Sequence, residues 1–299
     1  MMNKNFFFAL FAVTAAAFLF GGADVALADG VPQDYAIGMQ DAASTSADRI
    51  HQFHDLLLYI ISGIVAFVFV LLLIVMLWFN AKANPTPSKV THNVLLEVVW
   101  TVIPVVILIV IAVPSFKLLY ANDKLADPEM TIKATGHQWY WDYEYPDQEG
   151  IAFTSLMVPE GELKPGQERL LSTDNPVVLP VDTNIAILTA SADVIHSWAI
   201  PAFGVKIDAV PGRTNETWFR ITEPGVYYGQ CSEICGKNHA YMPIEIHAVS
   251  KEEFAAWVQE AKVKFASGER SIDKALRFAG QDDSAAAVKT ASSFAPAAE

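Results

Sequence analysis

Three regimes of hydropathy follow one another along the chain. An apolar stretch at residues 6–20 stands behind Lys4 and ends in an Ala-Leu-Ala pattern at Ala26 and Ala28. A basic start, a short apolar core and a small-residue stop predict a secretory signal peptide over 1–28. Residues 56–81 and 98–116 then carry no charged side chain, and each run approaches the ~20 residues that a helix needs to cross a bilayer. They predict spanning helices at 55–81 and 98–117, preceded by a segment at 29–54 and joined by a polar loop at 82–97. Pro104 and Pro114 fall in the second run, where a membrane helix tolerates proline if neighbouring groups satisfy the freed carbonyls.

Beyond residue 117 the pattern changes to short β-rich runs, at 130–137, 139–145, 177–181, 185–190, 194–200, 216–221, 226–230 and 243–249, with turns marked by Pro211-Gly212 and Pro224-Gly225. Many short strands with this punctuation predict a sandwich or Greek-key barrel. Ser250 and Glu253 form a capping-box pair ahead of Phe254, Trp257, Val258 and Ala261, which predicts a helix at 251–266. The Ala-rich, small-polar composition of 267–299 predicts a disordered tail. The expected architecture is therefore an N-terminal transmembrane α-helical hairpin followed by an all-β barrel with a C-terminal helix at 118–266.

Charge orients this arrangement. Lys82 and Lys89 lie in the short loop, whereas the segment from 29 to 55 is net negative, so the loop is expected on the cytoplasmic side and both flanks outside. Most of the formal net charge of −13 falls after residue 117, where 26 acidic residues face 15 basic ones. An acidic exported domain of this kind steers basic partners toward itself. The chain has no Cys-x-x-Cys-His, no glycine-rich phosphate loop and no Gly-x-Ser-x-Gly elbow, so nothing in it points to covalent haem, nucleotide or hydrolytic chemistry.

The two cysteines, Cys231 and Cys235, lie in the run GQCSEICGKNHAYMP together with His239 and Met242. Thiolate, imidazole and thioether make a soft donor set that suits copper and is wrong for magnesium or calcium. The spacing is too short to span separate elements, so the four side chains converge from one loop. His196, in the alternating run DVIHSWAIPAF, is the best source of a second imidazole. One thiolate, two imidazoles and a thioether complete a mononuclear site. The additional thiolate predicts a binuclear, thiolate-bridged centre holding two copper ions, with His196 and His239 each capping one metal, Met242 as a weak ligand and the main-chain carbonyl of Glu233 as another. A plain disulfide between the two cysteines is the competing reading, and zinc, which prefers closed Cys and His sets, fits less well.

The runs GHQWYWDYEY at 136–145, DVIHSWAIPAFGVKIDAVPGR at 193–213 and GQCSEICGKNHAYMP at 229–243, behind a two-helix hairpin, resemble subunit II of the haem-copper cytochrome c oxidases over roughly residues 50–265. The resemblance implies a cupredoxin-like Greek-key barrel with the binuclear copper A centre on His196, Cys231, Glu233, Cys235, His239 and Met242. All six positions are intact, which separates the chain from the quinol-oxidising branch. It further implies that Trp139 accepts electrons from cytochrome c, and that Tyr140, Glu144, Asp174 and Asp193 belong to the docking face. Some members carry another acid where this chain has Phe153. The Glu233 carboxylate would reach a magnesium ion shared with subunit I, and Glu97 would mark the entrance of a proton path in that subunit. Subunits I and III and the bacterial inner membrane, with the barrel on the periplasmic side, complete the implied setting. A membrane-tethered copper carrier is the alternative; it would share the donors without needing Glu97 or the acidic aromatic face. His51, His54, His92, His137 and His247 read as structural.

Overall fold

The computed structural model describes residues 31, 33–86, 88–123 and 127–265. The expected signal peptide and tail lie outside the described residues. Two long helices come first, α1 over Thr45–Trp78 and α2 over Val94–Asp123. Their apolar windows are entirely unburied. So large an exposed apolar surface marks a membrane face rather than a water-facing one.

Both helices start ahead of their uncharged stretches, although α1 ends at Trp78, short of the expected 81. At 34 residues, α1 is about 51 Å long by its 1.5 Å rise, so its first turns stand clear of the ~30 Å hydrocarbon layer. Asp48, Arg49 and His51 end the hydropathy signal there, but they do not end the helix. Ser44 caps it, accepting the Ala47 N–H at 3.0 Å and donating to the Phe203 carbonyl at 2.7 Å. Gly204, at φ +63°, lies beneath this turn, where a Cβ would come within 2.8 Å of Ile50 and 2.9 Å of Ala47. The barrel is thereby seated on the helix end itself. α2 starts at Val94, inside the predicted loop, because Asn93 accepts the Leu96 N–H while Glu97 reaches back to the Asn93 N–H at 3.3 Å. This reciprocal exchange works like a capping box, with the acid one position later than the usual one. The helix continues to Asp123, past the expected boundary at 117.

The β domain contains β1 (Met130–His137), β2 (Tyr140–Tyr145), β3 (Ile151–Ser155), β4 (Val177–Pro180), β5 (Ile185–Ser191), β6 (His196–Ile200), β7 (Val205–Ala209), β8 (Asn215–Phe219), β9 (Gly225–Gln230) and β10 (Pro243–Val249). One sheet has the order β3-β2-β1-β5-β8, a second the order β4-β10-β9, and β6 pairs with β7. β1 runs parallel to β5 and β10 parallel to β4; the other pairings are antiparallel. Two of these strands were not expected from the sequence. β3 is a short edge strand stabilised by pairing with β2, and β7 places Lys206 and Asp208 outward, which breaks its apolar signal. The helix α3 (Lys251–Lys264) begins at the predicted capping box.

The aromatic run divides by strand periodicity. Trp141, Tyr143 and Tyr145 point inward along β2, while Tyr140, Asp142 and Glu144 point outward. The inward set joins Trp198, Phe203, Phe219 and Ile132 in the core. Phe153 is buried there too, stacked on Phe265, so an acid at that position would have to leave the core. β9 ends at Gln230 and β10 begins at Pro243, and these two residues are cross-strand partners. The loop from 231 to 242 therefore has both ends fixed side by side, next to the head of β6.

Candidate metal centre

Cys231 and Cys235 are free thiols, both buried, with their sulfurs 3.9 Å apart. That separation rules out a disulfide in this structure. His196 Nδ1 lies 3.8 Å from Cys231 Sγ, His239 Nδ1 lies 3.5 Å from Cys235 Sγ, and Met242 Sδ lies 3.5 Å from Cys235 Sγ. The Glu233 carbonyl faces Cys231 Sγ at 3.3 Å. First-row metal bonds of about 2.3 Å to sulfur and about 2.0–2.1 Å to imidazole, at tetrahedral angles, put two donors on one metal about 3.6–3.8 Å apart. The donors thus already stand at ligand spacing, each imidazole beside a different thiol. His196, Cys231 and Cys235 form the one His/Cys/Asp/Glu group among the described residues that could hold a metal, and the soft, largely buried set fits copper.

Each donor has a local cause. His196 is the first residue of β6 and is 0% exposed. Its ring fits because residue 136 on β1 is glycine, where a Cβ would come within 2.8 Å of the imidazole. Trp141 packs edge-on against the same ring, 5.9 Å between centroids. The Ser232 N–H donates to the Ser197 carbonyl at 3.0 Å, tying the loop to β6. At the base of the loop, Gly229 lets β9 pass the Ala199 carbonyl, which a Cβ would meet at 2.0 Å. Met242 is 1% exposed, and its carbonyl accepts the Trp141 indole N–H at 3.4 Å. His239 sits on the 3-10 turn His239–Tyr241 and is half-buried.

Asp193 organises the imidazole. Its Oδ1 accepts from His196 Nε2 at 2.8 Å and its Oδ2 from the Gln138 N–H at 2.7 Å. Nδ1 of His196 is then the nitrogen left facing the thiols, the usual device by which an outer carboxylate fixes a ligating tautomer. Burial opposes charge on Asp193, yet the hydrogen bonds from His196, Val194 and Gln138 hold its carboxyl below the ordinary range. Burial likewise pushes His196 down, but the bonds to Asp193 and Cys231 raise it to about 8. Burial pushes Cys231 up, and His196 with the main chain at Ser197 and Glu233 brings it down to about 7. Burial and the neighbouring Cys231 push Cys235 up to about 12. In the metal-free chain the two thiols are therefore chemically unequal.

The remaining predicted residues surround this core. Trp139 is half-buried, its indole N–H donating to the Cys235 carbonyl at 3.3 Å. Tyr140 stacks on His137, centroids 4.6 Å apart, and His137 pairs with Asp142 at 3.1 Å. Glu144 pairs with Lys133 at 3.1 Å, and Asp174 accepts the Leu156 N–H at 2.9 Å. The acids expected at a docking face thus have structural tasks. Glu233 has an exposed side chain outside the buried donor group. Glu97 lies in the first turn of α2, away from the loop. His247 pairs with the buried Glu245 at 2.8 Å. Sequence reading assigned Asp193 only to docking and passed over Gln138, Gly136 and Gly236; the carboxylate three residues ahead of His196 was the available signal for the first.

A family model described as cytochrome C oxidase subunit II, periplasmic domain, matches residues 130–249, and the transmembrane-domain model of the same subunit matches residues 32–118. A Rickettsia bellii (strain RML369-C) protein named "Probable cytochrome c oxidase subunit 2" is 51% identical over 240 residues, covering 80% of this chain and 89% of its own. Cytochrome c oxidase subunit 2 of Oenothera berteroana is 48% identical over 240 residues, covering 78% of this chain and 93% of its own. The crystal structure of the periplasmic domain of subunit II of cytochrome oxidase from Bradyrhizobium japonicum is 54% identical, with a TM-score of 0.45, and covers 48% of this chain and 99% of that one. With both parts of the family matched and relatives of half identity covered nearly end to end, this chain belongs to the cytochrome c oxidase subunit II family, as a two-pass membrane protein bearing a copper-binding cupredoxin-like domain.

Proposed function

We propose that the chain is the electron-accepting subunit of a cytochrome c oxidase, taking electrons from cytochrome c at a binuclear copper A centre and delivering them to haem in subunit I, where oxygen is reduced and protons are pumped. One observation carries the reading: two free thiols 3.9 Å apart, each with its own imidazole at ligand distance and a thioether sealing one side. Held by Cys231, Cys235, His196, His239 and Met242, copper would supply a one-electron store.

The protein's part is to hold that store still and dry. Asp193 fixes His196 in the tautomer that ligates, and Met242, Cys231 and Cys235 are almost wholly excluded from water. A surrounding apolar shell of this kind governs potential and solvent access. Trp139 carries electrons inward, since its indole rests on the Cys235 carbonyl. Tyr140, Glu144, Asp174 and Asp193 meet the basic face of cytochrome c, and the acidic domain raises the encounter rate. The Glu233 carboxylate completes a magnesium site with oxygen donors from subunit I, and Glu97 opens the proton path of that subunit. Subunit III joins the same complex, and the barrel faces the periplasm across the bacterial inner membrane.

The test is metal analysis joined to kinetics on the purified complex. Two coppers in this subunit are expected, together with thiolate-to-copper bands in the visible and near-infrared. Trp139→Ala is expected to keep the spectrum and slow cytochrome c oxidation tenfold or more, by the loss of the bridging ring. A single copper overturns the binuclear reading, and an unchanged oxidation rate overturns the role of Trp139.

A further inference from the structure

Gln138 touches both halves of the metal centre although it offers the metal no donor. Its main-chain N–H donates to Asp193 Oδ2 at 2.7 Å, and the other oxygen of that carboxylate holds His196 at 2.8 Å. Its side-chain Nε2 donates to the Cys235 carbonyl at 2.7 Å, an oxygen that also accepts from Trp139. The seat for these two side chains is a bare peptide. Gly236 has φ +125°, and a Cβ on it would come within 3.0 Å of the Trp139 ring and 3.1 Å of the Gln138 amide. Between the cysteines the loop bows outward, with Glu233 and Ile234 exposed and Ile234 at 81%, so its outer side provides little restraint on Cys235.

We propose that Gln138 is a positioning residue for the copper centre. It braces the Cys235 carbonyl against the arm formed by Asp193 and His196, and so sets the spacing and equivalence of the two thiolates. The inference rests on the binuclear reading and adds a residue outside its ligand set. The geometry has an electrostatic consequence as well. Two N–H dipoles point their positive ends at the Cys235 peptide, and fixed donors beside a metal site favour the state with more negative charge. The brace therefore raises the reduction potential while holding the sulfurs alike.

The test compares wild type with Gln138→Met, which keeps length and removes the donor, in the copper-loaded oxidase complex. The variant is expected to retain two coppers. Its equilibrium with a one-electron mediator should shift threefold or more toward the oxidised form, about 28 mV on the 59 mV per decade of a one-electron couple. Its electron paramagnetic resonance should lose the equal copper hyperfine sharing expected of the wild type. Gly236→Ala, which lifts the same two side chains off their seat, is expected to move both readouts in the same directions. Unchanged potential and hyperfine pattern in Gln138→Met overturn the inference, whereas a wild type that lacks two coppers overturns the underlying reading instead. If the variant does not retain copper, the metal-free full chain decides. Loss of the brace should speed closure of Cys231 and Cys235 by oxidised glutathione threefold, the two thiols passing two electrons and two protons to the glutathione disulfide, whose S–S bond breaks to release two glutathione thiols. An unchanged closure rate overturns the proposal.

Discussion

His196 and His239 are the same side chain offered to the same pair of sulfurs, yet the fold supports them differently. His196 begins a strand, is wholly buried, and has its far nitrogen held by Asp193. His239 rides a single 3-10 turn inside the loop and is partly open to water. The thiols follow suit: Cys231, bonded to His196, is driven toward the thiolate, while Cys235 is held as the thiol. One half of the centre is built by the scaffold and the other by the loop. The strand side provides orientation, and the loop side closes over the metal and leaves it reachable from outside.

Removing each imidazole in turn breaks the comparison most sharply. His196→Gly is expected to abolish two-copper loading, because the buried gap lies behind Trp141 and beside an uncompensated Asp193. His239→Gly should regain copper and its visible bands when free imidazole is added, since the gap opens to solvent; metal analysis with and without imidazole reads both. A rescued His196→Gly would show that the two halves are equally open. A smaller effect is expected from Asp193→Ala, which leaves every donor in place but frees the His196 ring. Loss of such a partner lowers metal affinity by roughly 10–100-fold, measurable by chelator competition. No loss would mean that packing against Trp141 and Gly136 is enough to orient the ring.

The last of these effects is graded by pH. Copper takes neutral imidazole and thiolate, so it competes with protons at His196, raised to about 8, and at Cys231, lowered to about 7. As pH falls through 8 and then 7, each group binds a proton that the metal must displace, and affinity drops about tenfold per unit for each proton. Asp193→Ala should lower the upper of the two inflections, because the carboxylate is a cause of the raised His196. A competition curve flat between pH 8 and 6 would contradict the assignment.

Much of this was legible in the chain. The uncharged runs gave the hairpin, the period-two runs gave eight of the strands, and the loop composition gave the donors, because all three signals are local. Helix ends were misjudged where charge replaced apolarity without ending the hydrogen-bond ladder, as at Asp48 and Arg49 in α1 and at Glu97 in α2. β3 and β7 escaped because pairing with neighbours, rather than their own pattern, makes them strands. Phe153 shows the same limit: only its place beside Tyr143, Tyr145 and Phe265 identifies it as core.

The sequence by itself determined which atoms are available to a metal and that four of the donor side chains come from one short loop, since donor chemistry and chain reach are properties of the residues alone. Only the tertiary structure decided that the thiols stay apart, that Asp193 serves His196, and that Gln138 joins β1 to the Cys235 peptide. Those outcomes depend on close approaches between segments far apart in sequence: Gly136 against the His196 ring, Gly229 against the Ala199 carbonyl, and Gly236 of the loop against the side chains of Gln138 and Trp139. Contacts between residues far apart in sequence are set by packing, and no local pattern encodes them.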